Sequence, residues 1–435
     1  MGSFVWSFQQ VCGVARGLLL QTILALVFLF PCAAFGNGMA SHIKVSHHAI
    51  ELLPDGPLKK LLSSNEMKQA LYNGSYFPDT GYAAKDPYGE LAHWEPFIEG
   101  YLQDLRSKHK DFTQGEGAKL FAFILGVASH SIADQAFDSI FMVKSEEKDP
   151  GSRNELDTGL EFIIATDNTF VDLPKEFIPK DMIRRVMLEK LKHKVSEDVM
   201  KNGISRARIA VSSIPLLAPT QHEAYRKKMP WAAKNILNPD EPASLPYLST
   251  IAVKYWQNLW DRVHGKAELS QIVINSHPSA GGRIRSLEHK SVESRLFLFF
   301  GHNMDLSTLN DKNIFVKTAK GEAVPIKLGH WGSKGFNTLK ILPRVDWKPN
   351  EDYVLTLTTG LKTRQGKPLP KEVTLRFHTH PPKKEEPKTP VKPKPGGPFT
   401  NDKGCGCQAQ PEGLLPFSLG CLFFLVLFIR LFRGS

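Results

Sequence analysis

A mainly α-helical domain followed by a small all-β sandwich is the architecture this sequence predicts. Two observations carry it. Between residues 40 and 265 apolar residues recur at helical spacing or run continuously, without strand alternation. After about residue 266 come short runs rich in strand-forming residues, separated by Gly, Asn, Asp and Pro. A length of 435 residues implies two or three units. With 42% hydrophobic and 23% charged residues, most of the chain can fold around cores.

Residues 1–36 read as a signal peptide. Arg16 ends a weakly basic leader, Gly17 to Phe30 is apolar, and Ala34-Phe35-Gly36 supplies small residues at a cleavage site. Cleavage there makes Asn37 the new N-terminus; an uncleaved membrane anchor is the alternative. The other end carries a Pro/Lys-rich linker over 381–399 and a second apolar run from Leu414 to Ile429, followed by Arg430 and Arg433. That run is at the short edge for crossing a bilayer, and the arginines would stay cytoplasmic. The chain is therefore expected to be exported to the cell envelope or surface and tethered by residues 400–435, with later release left open.

The net charge of +11 is concentrated in the 182–230 region and in the linker. It argues for anionic surroundings: a phospholipid surface, the cell envelope or nucleic acid. Nothing in the sequence requires a protein partner. The five cysteines are Cys12, Cys32, Cys405, Cys407 and Cys421. None lies between 33 and 404, which excludes disulfides and thiolate ligands there. A metal in the folded part must be held by His, Asp or Glu.

Within the helical part, 37–265, Ser41 is placed to cap a helix that runs to Leu53, where Pro54-Asp-Gly stops it. The segment around 118–142 is apolar nearly all round and should be central and buried. It carries His130, Asp134 and Asp138, each four apart and so on one helix face. Asp157 and Glu161 repeat that spacing on the next helix. His42, a Phe-Pro-Asp79 turn and His93 precede them. Several His and Asp side chains in apolar surroundings are costly unless a cation offsets their charge. The plainer readings are a hydrogen-bonded core histidine for His130 and solvated or capping acids for Asp138, Asp157 and Glu161. His47 and His48 read as ordinary core or surface histidines, and Trp94 and Phe97 as core.

The order of these residues resembles the zinc-dependent phospholipase C family. Its helical fold extends to the N-terminal domain of glycosylphosphatidylinositol-specific phospholipase D and to single-strand-specific zinc nucleases. Leu-Gly-Val-Ala-Ser-His130-Ser-Ile-Ala-Asp134 fits the family's central helix, Phe-Pro-Asp79 its aspartate turn, and His93-Trp its third element. The resemblance implies up to three zinc ions, held by the Asn37 amine, His42, Asp79, His93, His130, Asp134, Asp138, Asp157 and Glu161. It implies metal-bound phosphate, in-line attack by an activated water, Asp134 bridging two metals, and Asp79 as ligand or base. Asp134 and Asp79 are thus the catalytic candidates. The chain departs from the family at Asp138 and Asp157, where His is usual. That site, made of carboxylates, would suit Mg²⁺, Mn²⁺ or Ca²⁺, or be empty. Phospholipid is the first substrate class implied; single-stranded nucleic acid on the same fold, and a non-catalytic surface protein, are the alternatives.

Residues 266–380 resemble bacterial Ig-like surface domains, through Phe-Phe-Gly-His-Asn-Met-Asp, Trp-Lys-Pro-Asn-Glu-Asp-Tyr-Val-Leu and Gly-Lys-Pro-Leu. Such a sandwich implies a spacer or binding module. The Gly-Cys405-Gly-Cys407 stretch with its apolar helix and terminal arginines resembles the C-terminal sorting tails of myxobacterial surface proteins.

Overall fold

In the computed structural model the described residues are 38–167, 172–266, 271–330 and 337–380. Asn37, the expected signal peptide, the linker and the tail lie outside them. The helical part comprises α1 (Met39–Leu52), α2 (Pro57–Ser63), α3 (Asn65–Ala84), α4 (Tyr88–Ala92), α5 (Glu95–Lys108) and α6 (Gly115–Ala136). A π turn (Phe137–Phe141) leads into α7 (Met142–Lys148), α8 (Leu156–Thr166), α9 (Lys180–Leu191), α10 (Glu197–Lys228), α11 (Pro230–Asn235) and α12 (Leu245–Val263). The strands are β1 (Val273–His277), β2 (Arg283–Ile284), β3 (Leu296–Phe300), β4 (Ile314–Thr318), β5 (Ala323–Val324), β6 (Ile326–His330), β7 (Thr338–Pro343), β8 (Asp352–Leu357) and β9 (Val373–Thr379).

The central helix is α6. The run Gly115–Lys148 is apolar and long enough to cross a membrane, yet its most apolar stretch is wholly buried inside the protein. Around it pack α3, α5 and α12, with α1 laid across α3 and α12. The α3–α6 crossing is close because glycines meet there. A Cβ on Gly126 would stand 2.0 Å from the Leu71 carbonyl oxygen, and one on Gly74 1.9 Å from that of Phe123. This approach brings Asp79, about one and a half turns beyond Gly74, beside the histidine and aspartate of α6.

Three local expectations are corrected. Helix α1 starts at Met39 with Gly38 as its cap, so Ser41 lies in the first turn. Glu161, not a Ser side chain, satisfies the free N–H groups there. Second, Pro78 sits inside α3, so Asp79 belongs to a helix rather than to a turn. Third, Asp138 lies in the π turn. It therefore stands just past the α-helix that carries His130 and Asp134, with Asp134 still its strongest charged neighbour. At the other end of α1 the sequence reading holds: Leu53, before Pro54, is extended at φ −59°, ψ 135°.

The sandwich has sheets ordered β1-β3-β7-β6 and β2-β9-β8-β4-β5. All five residues of β3, Leu-Phe-Leu-Phe-Phe, are buried. Leu296, Leu298 and Phe300 enter the sandwich core with Leu339, Ile341 and Leu355. Phe297 and Phe299 join the core of the helical part, as do Ile274 and Val292. A strand covered on both faces reads as a continuous apolar run, which is what 296–300 shows. Each such side chain contributes roughly 1.5–3 kcal/mol by leaving water.

Polar contacts border this shared core. Arg262 Nη1 donates to Glu95 Oε1 at 2.7 Å and to the Gly301 carbonyl at 2.8 Å. Lys144 Nζ lies 2.8 Å from Glu241 and 2.6 Å from Glu293. Arg285 completes that cluster, 3.0 Å from Glu241.

Candidate metal centre

Four helical elements converge on one buried point. His42 comes from α1, Asp79 from α3, His93 from the C-terminal end of α4, and His130 and Asp134 from α6. Two groups have ligand atoms within 4.8 Å of one another: His42, Asp79 and His130; and His93, His130 and Asp134. Asp134 lies between the histidines. Its Oδ1 is 3.0 Å from His42 Nε2, and its Oδ2 is 3.3 Å from His130 Nε2 and 3.4 Å from His93 Nε2. Asp79 Oδ1 is 3.5 Å from His93 Nε2 and 3.8 Å from His130 Nε2.

Backbone carbonyls fix the tautomers. His93 Nδ1 lies 2.6 Å from the Gly89 carbonyl, and His130 Nδ1 lies 2.8 Å from that of Ser75. A carbonyl only accepts, so each Nδ1 carries a hydrogen. In the neutral rings both Nε2 atoms are then lone pairs, and they face each other at 2.9 Å. They must share a proton or a cation. His42 tells the same story: it is 1% exposed, stacked on His130 at 3.6 Å, and neither ring nitrogen is hydrogen-bonded among the described residues. Asp79 Oδ2 is likewise buried without a partner. Three imidazole nitrogens and two carboxylates turned inward fit a zinc-type donor set.

The electrostatics agree. Burial pushes the His93 ring toward neutrality, but bonding to Asp79 and the charge of Asp134 win, raising it to about 9. His42 is raised as well, Asp134 outweighing burial. His130 is lowered, first by burial and then by His42. Burial opposes ionisation of Asp134, yet His130 and His42 hold it well below the usual carboxylate range.

The remaining predicted residues are placed differently. Glu161 is turned to the start of α1: its oxygens accept from Ala40 N at 3.0 Å, Ser41 N at 2.7 Å and Ser41 Oγ at 2.6 Å. A Cβ on Gly38 would lie 2.4 Å from Glu161 Cγ, so the first described residue runs against this carboxylate. Asp138 and Asp157 are not in either His/Asp group. Each keeps one buried oxygen without a hydrogen-bond partner among the described residues. Burial, then neighbouring carboxylates, raises both well above the ordinary range. That acidic corner requires protons or a cation. Asn37 lies outside the described residues. His47 contacts Tyr72 at 2.7 Å, and Phe97 is core.

Supporting groups escaped the sequence reading. Ser46 Oγ links Ser75 Oγ and Ser129 Oγ, both at 2.7 Å, beneath His130. Ser131 Oγ donates to the His93 carbonyl at 2.6 Å. Glu90 accepts from Tyr82 and Trp94, and the Tyr82 ring lies 5.0 Å from that of His93. Carbonyl partners such as Gly89 and Ser75 have no side-chain signature. Ser129 and Ser131 flank His130, and that pairing was the one available signal.

Comparison with known proteins adds family to geometry. Residues 41–137 match the family described as zinc dependent phospholipase C, and residues 272–379 match the bacterial Ig-like domain. Phosphatidylinositol-glycan-specific phospholipase D of Mus musculus is 26% identical over 140 residues, covering 30% of this chain and 17% of that protein. The Rattus norvegicus protein of the same name is 30% identical over 134 residues, 28% of this chain and 16% of its own length. The Dictyostelium discoideum protein is 31% identical over 128 residues, 28% and 13%. The match thus spans about a sixth or less of these relatives. The S-layer protein SbsC aligns with 75% of this chain and 46% of its own at 12% identity, with a TM-score of 0.21.

Proposed function

We propose that this chain, with its zinc-dependent phospholipase C segment at 41–137 and its Ig-like domain at 272–379, is a metal-dependent hydrolase of phospholipid phosphodiesters. One observation carries the reading: two tautomer-fixed histidines aim lone pairs at each other across Asp134. Zinc is the cation the family implies, held by His42, Asp79, His93, His130 and Asp134. Bound there, it would lower the pKa of water and neutralise phosphate charge. Asp134, with one oxygen toward His42 and the other toward His93 and His130, is placed to serve both groups. Asp79 Oδ2, buried and unpartnered among the described residues, is an acceptor for a proton within the group. The hydrogens on His93 Nδ1 and His130 Nδ1 stay with their carbonyls and keep the rings in orientation.

The carboxylates of Asp138 and Asp157 form an oxygen-rich corner suited to a harder cation such as Mg²⁺, Mn²⁺ or Ca²⁺. Export through residues 1–36, an Asn37 amine ligand and tethering through the tail belong to the same proposal.

The test is hydrolysis by the zinc-loaded full chain of phosphatidylcholine and phosphatidylinositol vesicles and of single-stranded DNA. Diacylglycerol or phosphatidic acid in the products identifies the bond cleaved. Preferred cleavage of lipid supports the reading. Preferred cleavage of DNA moves it to the nuclease branch. A chain that binds zinc and hydrolyses none of the three overturns it.

A further inference from the structure

The sheet that meets the helical part presents more than apolar side chains. Phe297 and Phe299 of β3 enter the helical core. Their cross-strand partners on β7 are Lys340 and Thr338. Residues directly opposite in an antiparallel pair share a face, so Lys340 is on the side toward the helices. Asn337, at the start of β7, accepts from Gln135 Nε2 at 2.5 Å. Gln135 follows Asp134 in the chain, so β7 is pinned to the end of α6 that bears the metal-site residues.

On its other side Lys340 lies against a glycine. Its β6 partner is Gly329, where a Cβ would lie 3.5 Å from Lys340 Cε. The lysine is half-buried. Its charge reaches the Asp138 carboxylate, where it opposes the effects of burial and of Asp134. Arg153, in the short turn before α8, acts on the same carboxylate. One cation from each domain therefore acts on the Asp138 carboxylate. A phosphodiester carries one negative charge over two non-bridging oxygens. A lysine at the rim of a metal site is suited to bind such an oxygen as a point charge.

We infer that Lys340, supplied by the Ig-like domain, binds a non-bridging oxygen of the substrate phosphodiester beside the metal centre, which makes that domain part of the substrate site rather than a spacer. This rests on the phosphodiester reading above. Arg153 belongs to the helical part, so Lys340 is the residue that reports on the Ig-like contribution.

The experiment uses the zinc-loaded full chain with two probes: inorganic phosphate by calorimetry, and turnover of bis(p-nitrophenyl) phosphate. Lys340→Met is expected to weaken phosphate binding about 10-fold or more, and to raise KM similarly with kcat within about 3-fold. Lys340→Arg is expected to stay within about 3-fold of wild type in both. Zinc content is expected to be unchanged. Unaltered phosphate affinity in Lys340→Met, no phosphate binding by wild type, or zinc lost in parallel would each overturn the inference. Should Lys340→Met fold poorly, Lys340→Gln is read in its place. Phosphate binding needs no turnover. A chain that binds zinc and phosphate but cleaves no phosphodiester therefore defeats the hydrolase reading alone.

Discussion

His93 and His130 hold their Nε2 atoms 2.9 Å apart while each Nδ1 is committed to a carbonyl, of Gly89 and Ser75. The pair is repulsive until a proton or a cation enters. Zinc that binds the folded chain and not the unfolded one stabilises it by about 2.7 kcal/mol at a hundredfold excess over Kd. Chelation is thus expected to lower Tm by several degrees and zinc to restore it. Scanning calorimetry with and without chelator is the check; an unchanged Tm would count against the site.

Asp134 and Asp138 are predicted to behave differently despite their regular spacing. Asp134→Asn removes the charge that faces His42, His93 and His130, and is expected to cut turnover roughly 1,000-fold, about 4 kcal/mol of barrier, with loss of zinc. Asp138→Asn is expected to leave zinc at His42, Asp79, His93 and His130 intact. Metal analysis of the two purified variants separates them. Equal zinc loss from both would place Asp138 among the main ligands.

How far the site was legible follows from such cases. His130 and Asp134 sit one turn apart on a long apolar helix, so their spacing alone set two inward-facing ligands side by side. Asp138 continues the spacing, but it lies where the α-helix passes into the π turn at Phe137–Phe141. A hydrophobic pattern does not reveal that insertion. Pro78 suggested a turn because proline usually ends a helix, yet α3 continues through it to Ala84. The contact of Glu161 with the start of α1 was not legible, because nothing in sequence shows that Ala40 and Ser41, about 120 positions away, expose N–H groups to it. The two-part fold was visible because the change of hydrophobic period near residue 266 is a local property. The shared face of β3 was not, since a doubly buried strand and a strongly hydrophobic single-faced one read alike.

Arg262 and Glu95 give a stability prediction. Glu95 is buried, and burial raises it to about 8 against the opposing pull of Arg262. Arg262→Met leaves that carboxylate without its cation and the Gly301 carbonyl without its donor. Glu95 can then take up a proton rather than stand as a bare charge, so the expected loss is about 1–3 kcal/mol, the cost of the unpaired polar groups. Denaturant unfolding of the variant measures it, and a loss under about 1 kcal/mol would show that Tyr255, which also bonds Glu95, suffices.

His302 predicts a pH dependence. It is 4% exposed, and burial, then Arg262 and Lys367, lowers it to about 3. Unfolded, it titrates near 6.5. Between those values the unfolded chain binds the extra proton, so stability is complete above the upper value and is lost as pH falls toward the lower one. This residue alone is expected to cost about 2 kcal/mol between pH 7 and pH 5. His302→Asn should flatten that part of the profile. Denaturant midpoints at the two pH values, wild type against variant, give the difference, and identical slopes would discount it.

Strand β3 limits how this protein can be rearranged by recombination. A sandwich whose outer faces are polar can be exchanged as a bead, because it buries nothing against its neighbour. Here the outer face of one sheet carries Phe297 and Phe299 into another domain's interior. A substituted sandwich with a polar face would strand the helical core in water, and the excised sandwich would carry an adhesive patch of its own. The inheritable unit is therefore the helices together with the sheet that closes them.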